Sequence, residues 1–550
     1  MASHTHICGR RGSVSPLRVA ARKDEADMTR EEKWERLREG CDVLVIGGGA
    51  TGLGIAVDAA TRGLRTVLVE AADFASATSS RATKLVHGGV RYLASGQMHL
   101  VYEALRERRV MLRNAPHLVH RQGFVTPAYD WAALPFYGTG LKLYDLLSGR
   151  SSLGTTRLLG ARATIRAVPG IQTANLKGGI EYFDGQFDDA RFALALARTA
   201  EDHGAVVLNY ARCVRLIERN GRVRGAAIAD AETGEEREVA AGAVINAAGI
   251  FLDEVRRLDQ PSSAPLLRAS RGTHIVVDAD MLGGSRGLMI PKTRDGRVIF
   301  AIPWMGRCLI GTTDVPVDAT AMEPGHTREE IDFLLETITP YLARPIRVAE
   351  IRSVFSGLRP LVTGAGASTA KLSREHHLEI SPSGMVTIAG GKWTTYRRMA
   401  EDTLDFAARN GMIERRACRT ESLPLRGAPH SPAAEQELPE LTSLARFGSD
   451  ADAIRRMQRE DGRLAEPLHP RLPFTAAEVV YAAREEMART VEDVLSRRMR
   501  ALLMDARAAV EAAPRVAALL AAEMGRDAAW TASEQTRFAQ LAERYYEIRE

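Results

Sequence analysis

With 550 residues, 45% of them hydrophobic and 26% charged, the chain has the composition of an ordinary globular protein. It is too long for one core, so two to four domains are expected. Its 74 basic and 69 acidic side chains leave a net charge of +5, and no long basic stripe points to a nucleic-acid partner. The five cysteines (Cys8, Cys41, Cys213, Cys308, Cys418) are scattered without a CxxC pair. That excludes the usual spacings of a disulfide framework, a zinc site or an iron–sulfur cluster, and it suits a reducing compartment; no metal is expected.

Residues 1–39 read as an N-terminal tail, disordered apart from one short helix. Its first 23 residues hold four arginines, one lysine and no acid; a plain tail is preferred to a transit peptide, and no signal-peptide core is seen. Thr29 and Glu32 stand at capping-box spacing, with Trp34 and Leu37 on one helix face. No run of eighteen apolar residues is present, so no membrane span is expected.

Residues 42–70, DVLVIGGGATGLGIAVDAATRGLRTVLVE, carry the first strong signal. An apolar strand over Val43–Ile46 leads into Gly47, Gly49 and Gly52 at G-x-G-x-x-G spacing. A helix to about Thr61 and a strand from Thr66 to Val69 follow, and the strand stops at Glu70. The first glycine permits the tight turn, the second lets a pyrophosphate approach the backbone, and the third lets helix and strand pack closely. The helix N-terminus offers unpaired N–H groups to phosphates. Glu70 is placed to accept hydrogen bonds from a ribose diol. The complete strand–turn–helix–strand–acid unit is a specific dinucleotide-binding signal.

Residues 78–93, TSSRATKLVHGGVRYL, crowd hydrogen-bonding groups into a segment without period. Directly after a ribose-binding strand, such a segment can lie along an extended dinucleotide. Thr78, Ser79 and Lys84 are then expected near the phosphates, His87, Gly88 and Gly89 near the ring system, and Arg91 and Tyr92 in the substrate space. Residues 131–147, WAALPFYGTGLKLYDLL, are aromatic and apolar but too short and too charged to span a bilayer. Lying in a membrane interface and packing inside a substrate domain are equally good readings. AVINAAG (243–249) is an apolar strand whose small terminal residues, ending in Gly249, let a cofactor lie close.

Residues 385–397, MVTIAGGKWTTYR, predict a strand, a Gly390-Gly391 turn and a helix beginning near Thr394. The turn puts backbone N–H groups and the Lys392 ammonium where a flavin gains negative charge on reduction. No second complete G-x-G-x-x-G is present. One dinucleotide is therefore expected, FAD rather than NAD. From about Cys418 helix formers dominate. Thr475 with Glu478 and Thr490 with Asp493 have capping-box spacing, and Val491, Val494, Leu495 and Met499 share one helix face. Arg497-Arg498 reads as surface charge.

Taken together, IGGGATGLGIAVDAATRGL, SSRATKLVHGGVRYL, FDDARFALALA, RGTHIVV, IPWMGRCLIGTTD, SGLRPLV and GGKWTTYR, in this order, resemble the FAD-dependent glycerol-3-phosphate dehydrogenases. The tail LPFTAAEVVYAAREEMARTVEDVLSRRMR resembles that family's helical C-terminal domain. The resemblance covers about nine-tenths of the chain. It implies a mixed α/β and α+β fold: a Rossmann-like FAD-binding domain interleaved with an antiparallel-sheet substrate domain, plus an all-helical C-terminal domain over 416–550. The FAD-binding parts are expected at 40–125, 185–262 and 350–415, and the substrate parts at 126–184 and 263–349.

The resemblance also implies a reaction: sn-glycerol 3-phosphate gives a hydride from C2 to flavin N5, leaves as dihydroxyacetone phosphate, and the electrons pass to a membrane quinone. The enzymes sit on the membrane surface without spanning it. The expected location is cytoplasmic, on the inner face of the cytoplasmic membrane, with a mitochondrial one left open; a homodimer also stays open. A phosphate dianion calls for fixed cations. Arg91 and Tyr92 match the family's phosphate-side residues, Arg359 its active-site arginine, and Arg374 and Lys392 further basic contacts. Loss of the C2 hydroxyl proton calls for a base near neutral pKa: His274 first, His87 second. EHHLEI after Arg374 departs from the family pattern and leaves the pocket edge at His376 and His377 open. The rival readings are an oxidase that uses oxygen and releases peroxide, a flavin oxidase for another hydroxy acid or amine, and a flavin-binding sensor without turnover.

Overall fold

The computed structural model describes residues 28–89, 98–291, 293, 296–363, 376–429 and 444–548. Helix α1 (Arg30–Arg36) starts at the Thr29/Glu32 capping box read from the sequence, and it buries Trp34. The chain then runs through β1 (Cys41–Ile46), α2 (Ala50–Thr61) and β2 (Thr66–Val69). It crosses into a second sheet with β3 (Leu85–Val86), α3 (Met98–Asn114), β4 (Val119–Ala128), α4 (Ala133–Ser148), β5 (Arg157–Gly160) and β6 (Gly178–Phe187). Helix α5 (Asp189–Asp202) returns it to the first sheet for β7 (Val206–Leu208), the hairpin β8 (Ala211–Arg219) and β9 (Arg222–Asp230), and β10 (Glu236–Asn246).

A second excursion holds β11 (Leu267–Asp278), β12 (Gly287–Ile290), β13 (Ile299–Trp304), β14 (Arg307–Gly311), β15 (Val315–Val317), α6 (Arg328–Ile338) and β16 (Ser353–Val362). Strands β17 (His376–Ile380) and β18 (Val386–Gly390) and helix α7 (Tyr396–Arg409) complete the first sheet and its cover. The C-terminal part is helical: α8 (Ala451–Glu460), α9 (Ala476–Glu485), α10 (Ala506–Met524) and α11 (Ala528–Tyr546).

The first sheet has the order β17-β18-β10-β1-β2-β7, with the β8–β9 hairpin extending from β10. The pairs β18–β10, β10–β1, β1–β2 and β2–β7 are parallel. Parallel strands covered on both faces read as continuous apolar runs, as β1 and β2 do. Helices α2, α5 and α7 pack together on one face of this sheet. The second sheet runs β15-β11-β14-β13-β12-β4-β6-β3, with β16 on β11 and β5 on β6, and is antiparallel except at β12–β4. The fold class read from the sequence is the one observed.

Strand β16 differs from the expected division. Residues 350–415 are assigned to the dinucleotide unit by sequence order, yet β16 pairs with β11 over ten residue pairs, from Leu267↔Val362 to Val276↔Ser353. The chain crosses back only after β16, so Arg359 is held on the second sheet. Strand β4, which begins at Val119, also belongs to that sheet rather than to the first.

Candidate active site

The two sheets face one another across a cavity of about 830 Å³, within the size range of ligand sites. On the first-sheet side, the turn after β1 supplies its floor. Gly47 has φ +114°, and a Cβ there would lie 2.6 Å from the Ala247 carbonyl oxygen. At Gly49 a Cβ would come within 3.1 Å of Ser79 Oγ. Gly52 does not line the cavity. A Cβ on it would meet the Gly47 carbonyl oxygen at 1.8 Å, so its job is the close packing of α2 against the turn.

Helix α2 begins with no side-chain cap of its own. Instead, the Ala50 N–H donates to Ser79 Oγ at 3.0 Å. An oxygen acceptor therefore already sits where the helix dipole favours negative charge. Glu70, on the same wall, accepts from Gly48 N at 2.6 Å and Ala72 N at 2.9 Å. Burial raises its pKa, against the pull of those two N–H groups. Gly249, with φ +57°, lines the cavity from the end of β10. This cradle fits an extended dinucleotide: a Cβ at Gly47 or Gly49 would crowd the Ala247 carbonyl or Ser79, and the first residues of α2, Ala50 and Thr51, face the cavity.

The 78–89 stretch runs along the cavity, but two of the residues expected there, Gly88 and Lys84, lie behind its wall. Thr78 donates to the Leu358 carbonyl at 2.7 Å, and Thr78, Ser79, His87 and Gly89 line the cavity. Gly88 lies just behind, where a Cβ would collide with Leu105 and the Tyr144 hydroxyl; its N–H donates to Tyr144 Oη at 2.8 Å. Lys84 is the other. It is fully buried behind the wall, with Nζ 2.7 Å from Asp189 Oδ2 and 2.7 Å from the Ser80 carbonyl oxygen. A buried ammonium needs an acid partner, and Asp189 supplies it, so Lys84 does not reach the phosphate position. Burial, followed by the nearby Arg500, pulls it down to about 7.

The second-sheet side brings the expected reactive groups together. His274 on β11 and Arg359 on β16 both line the cavity, with Lys392, Gly391 and Thr394 closing it from the end of β18. The His274 ring stacks on Phe355 at 4.8 Å and 15°. Its Nε2 is 3.0 Å from Thr83 Oγ1, while the enclosed Nδ1 has no hydrogen-bond partner among the described residues. Gly311 lies against the ring, where a Cβ would be 2.2 Å from Cδ2. Burial, then the Lys84 ammonium and the Arg359 guanidinium, hold His274 well below its ordinary 6.5. It is therefore neutral near pH 7, the state a base needs. Arg359 Nη1 is 3.3 Å from Asp314 Oδ1, and Nη2 donates to the Thr313 carbonyl at 3.1 Å.

Arg91, Tyr92 and Arg374 lie outside the described residues. His376 and His377, left open by the sequence, are turned to carboxylates: Nε2 of His376 is 3.1 Å from Asp402, and Nε2 of His377 is 3.5 Å from Glu379. Neither lines the cavity. Sequence reasoning missed Thr83, Thr312, Asp314 and Trp393, which do. Trp393 Nε1 donates to the Ser79 carbonyl at 2.8 Å, tying the β18 turn to the 78–80 turn, whose Ser79 Oγ meets the start of α2. Their signal was present in SSRATKLV, GTTD and GGKWTT, but nothing in those residue types marks them as cavity-facing without the second sheet.

Arg497 and Arg498 are a further correction. They are buried rather than surface charge, and both reach the Asp73 carboxylate in the loop after β2.

Residues 42–397 match the model of a family described as FAD dependent oxidoreductase, and 418–531 match the C-terminal domain of alpha-glycerophosphate oxidase. The mitochondrial glycerol-3-phosphate dehydrogenase SDP6 of Arabidopsis thaliana is 40% identical over 545 residues, covering 92% of this chain and 86% of that one. The chain belongs to the FAD-dependent glycerol-3-phosphate dehydrogenase family. The human mitochondrial glycerol-3-phosphate dehydrogenase is 41% identical over 539 residues, covering 92% of this chain and 73% of its own length. Among solved structures, the glycerol-3-phosphate dehydrogenase of Bacillus halodurans complexed with FAD aligns with a TM-score of 0.76 at 28% identity, covering 94% of this chain and 98% of that one. The cofactor of this family is FAD, and the glycine cradle and Glu70 are the groups here that would hold it.

Proposed function

We propose that this chain oxidises sn-glycerol 3-phosphate to dihydroxyacetone phosphate and hands the electrons to a membrane quinone. The observation that carries the reading is the meeting, in one cavity, of a dinucleotide cradle and Lys392 from one sheet with His274 and Arg359 from the other. Bound FAD supplies the two-electron acceptor. His274 takes the C2 hydroxyl proton at Nε2, because Nδ1 is enclosed, and the Thr83 hydroxyl beside Nε2 bridges it to the cavity. Arg359, steadied by Asp314 and the Thr313 carbonyl, orients the C2 oxygen and stabilises negative charge developing there. Lys392, with Arg91, Tyr92 and Arg374 as further proposed contacts, balances the anionic groups of substrate and cofactor. A phosphate dianion suits this set of cations better than a neutral amine or amino acid does.

The membrane part of the reading rests on α4. Its inner face buries Leu141 and Tyr144, while Phe136 (73% exposed), at the cavity rim, and Leu146 (77%), which shares a surface depression with Leu158 (65%), project outward, and Trp131 (69%) is exposed just before the helix. Large apolar groups clustered on one surface mark an interaction site, and an interfacial helix presents such a face to lipid. No helix among the described residues is long and apolar enough to cross a membrane. On this reading the site works from a membrane surface, with quinone arriving from the lipid.

The deciding experiment is anaerobic mixing of the FAD-loaded protein with sn-glycerol 3-phosphate, followed at the flavin absorbance band, and then addition of a soluble quinone. Rapid bleaching and quinone-dependent recovery are expected. No bleaching rejects the substrate; recovery in air with stoichiometric peroxide, faster than with quinone, rejects the acceptor.

A further inference from the structure

We propose that Arg500, contributed by the C-terminal helical part, is a positioning residue for the oxidation: it fixes the Ser80–Lys84 turn so that the Thr83 hydroxyl meets His274. The proposal rests on His274 being the base.

The turn is pinned at three of its five residues. Asp189, at the start of α5, accepts Lys84 Nζ at 2.7 Å and the Ala82 N–H at 3.0 Å. Arg500 donates to the same carboxylate at 2.8 Å and to the Ser80 carbonyl at 2.6 Å, and Lys84 Nζ shares that carbonyl at 2.7 Å. Thr83 stands between Ala82 and Lys84, so it has little freedom left. Its Oγ1 is the partner of His274 Nε2. On the other side of the imidazole, Phe355 stacks on the ring, and Lys84 Nζ lies 5.2 Å from the centroid of Phe355. The base is thus set between a hydroxyl and an aromatic ring, both in contact with the group of charges that Arg500 completes.

Arg500 does more than balance the Asp188 and Asp189 carboxylates, 3.6 and 2.8 Å away: it also donates to the Ser80 carbonyl of the turn. It is wholly buried, and its own backbone is left-handed, φ +71°, directly after a π-helical turn over Asp493–Arg498. A bulky residue at positive φ is uncommon, and π-turns concentrate at functional sites. The same segment plants Arg497 and Arg498 on Asp73, so the C-terminal part enters the dinucleotide unit at two points, one of them one hydrogen-bonded turn from the base. The charged groups around His274 are Lys84 and Arg359; those around Lys84 are Asp189, Asp188 and Arg500.

The test is a double-mutant cycle on the FAD-loaded protein. Arg500→Lys keeps the charge, and with it the fold, but one ammonium cannot reproduce the guanidinium fork over Ser80 and Asp189. Arg500→Lys should slow substrate-driven flavin reduction about tenfold, the order expected for a small misplacement of a catalytic group, with substrate affinity unchanged. Hydrogen exchange at the Ala82 and Lys84 amides should speed up. In a Thr83→Val background the same change should have less than about a twofold effect, because coupled residues are not additive. An unchanged rate in Arg500→Lys, or an equal loss in both backgrounds, overturns the proposal and leaves Arg500 as domain packing. His274→Ala is run beside them: near-normal reduction there refutes the base assignment, whereas a crippled His274→Ala with an additive cycle refutes Arg500 alone.

Discussion

Asp73→Asn tests how strongly the C-terminal helices hold the cofactor loop. Asp73 is fully buried and takes hydrogen bonds from Arg497 Nε and Arg498 Nη1, plus Asn209 Nδ2 at 3.1 Å. The two guanidiniums depress its pKa against the upward push of burial. Arg497 keeps Asp493 at 2.7 Å and Glu492 at 2.6 Å, but among the described residues Arg498 keeps a hydrogen bond only to the Glu486 carbonyl, with Asp493 attracting it from farther off. Both guanidiniums reach Oδ2 and Asn209 reaches Oδ1, so an amide at 73 that keeps its one oxygen toward the arginines sets its NH2 against Asn209 Nδ2 and leaves both buried guanidiniums without the carboxylate charge. Removing one partner of a buried charge group costs about 3–5 kcal/mol, which is roughly two to nearly four orders of magnitude in an opening equilibrium. The exposed pair Arg106–Glu421, with both side chains more than half exposed, is the control; its loss is worth about 0.2–1 kcal/mol. Native-state hydrogen exchange over residues 70–77 and 487–500 reads the opening directly. The cavity-lining Ala75, Ser76 and Ala77 belong to the first segment, so FAD should also dissociate more readily from Asp73→Asn. If protection falls by less than about tenfold, or no more than in Arg106→Ala, the network is not what docks these helices.

Three further outcomes follow from the geometry. Gly52→Ala places a Cβ 1.8 Å from the Gly47 carbonyl oxygen, while Gly47 N is tied to the Val69 carbonyl at 2.9 Å; an overpacking cost of about 1–3 kcal/mol predicts roughly 5- to 150-fold weaker FAD binding by fluorescence titration. Because His274 titrates well below 6.5, flavin reduction should hold its rate as pH falls through 6.5, and Lys84→Met, which removes a cation facing the ring, should move the acid limb upward. The linked sign is that the unfolded chain binds the extra proton between the folded pKa and 6.5, so His274's contribution to stability grows as pH rises across that window. Trp131→Asp with Leu146→Asp should weaken vesicle co-sedimentation at least about tenfold, the worth of one large apolar side chain, with flavin reduction by substrate intact; unchanged sedimentation removes α4 from the membrane contact.

What could be read in the sequence was local. The first β–α–β unit, its glycines and Glu70 were legible almost to the residue, because apolar runs, tight turns and helix starts are properties of neighbouring positions. The capping boxes at Thr29 and Thr475 were legible for the same reason. Those at Thr490 and Asp493 are reciprocal as expected, Asp493 N donating to Thr490 Oγ1 at 3.1 Å and Thr490 N to Asp493 Oδ2 at 3.0 Å, although the turn they start is π-helical rather than α-helical. What escaped was pairing at long range. Nothing adjacent to Arg497 and Arg498 announces that Asp73 will come to meet them, and charged side chains on a helix are ordinarily solvated.

The same limit explains the two residues whose placement differs most from expectation, Lys84 and Arg359. A lysine in a Ser- and Thr-rich segment after a dinucleotide motif reads as a phosphate contact, and only Asp189, 105 positions away, turns it inward. SGLRPLV reads as part of the strand system that ends in GGKWTTYR, yet the antiparallel ladder between β16 and β11 places Arg359 beside His274 on the opposing sheet. That ladder gives the site its logic. His274 pairs across it with Phe355, and Ser270 with Arg359, so base, stacking ring and guanidinium are fixed by one strand register. Side chains alternate faces along a strand, and a slip of β16 by one residue would turn Phe355 and Arg359 to the face opposite His274. The cofactor cradle depends on local turn chemistry and the reactive groups on sheet register. The Ser80–Lys84 turn, held from both sides by Asp189 and Arg500, is where the two are brought into contact.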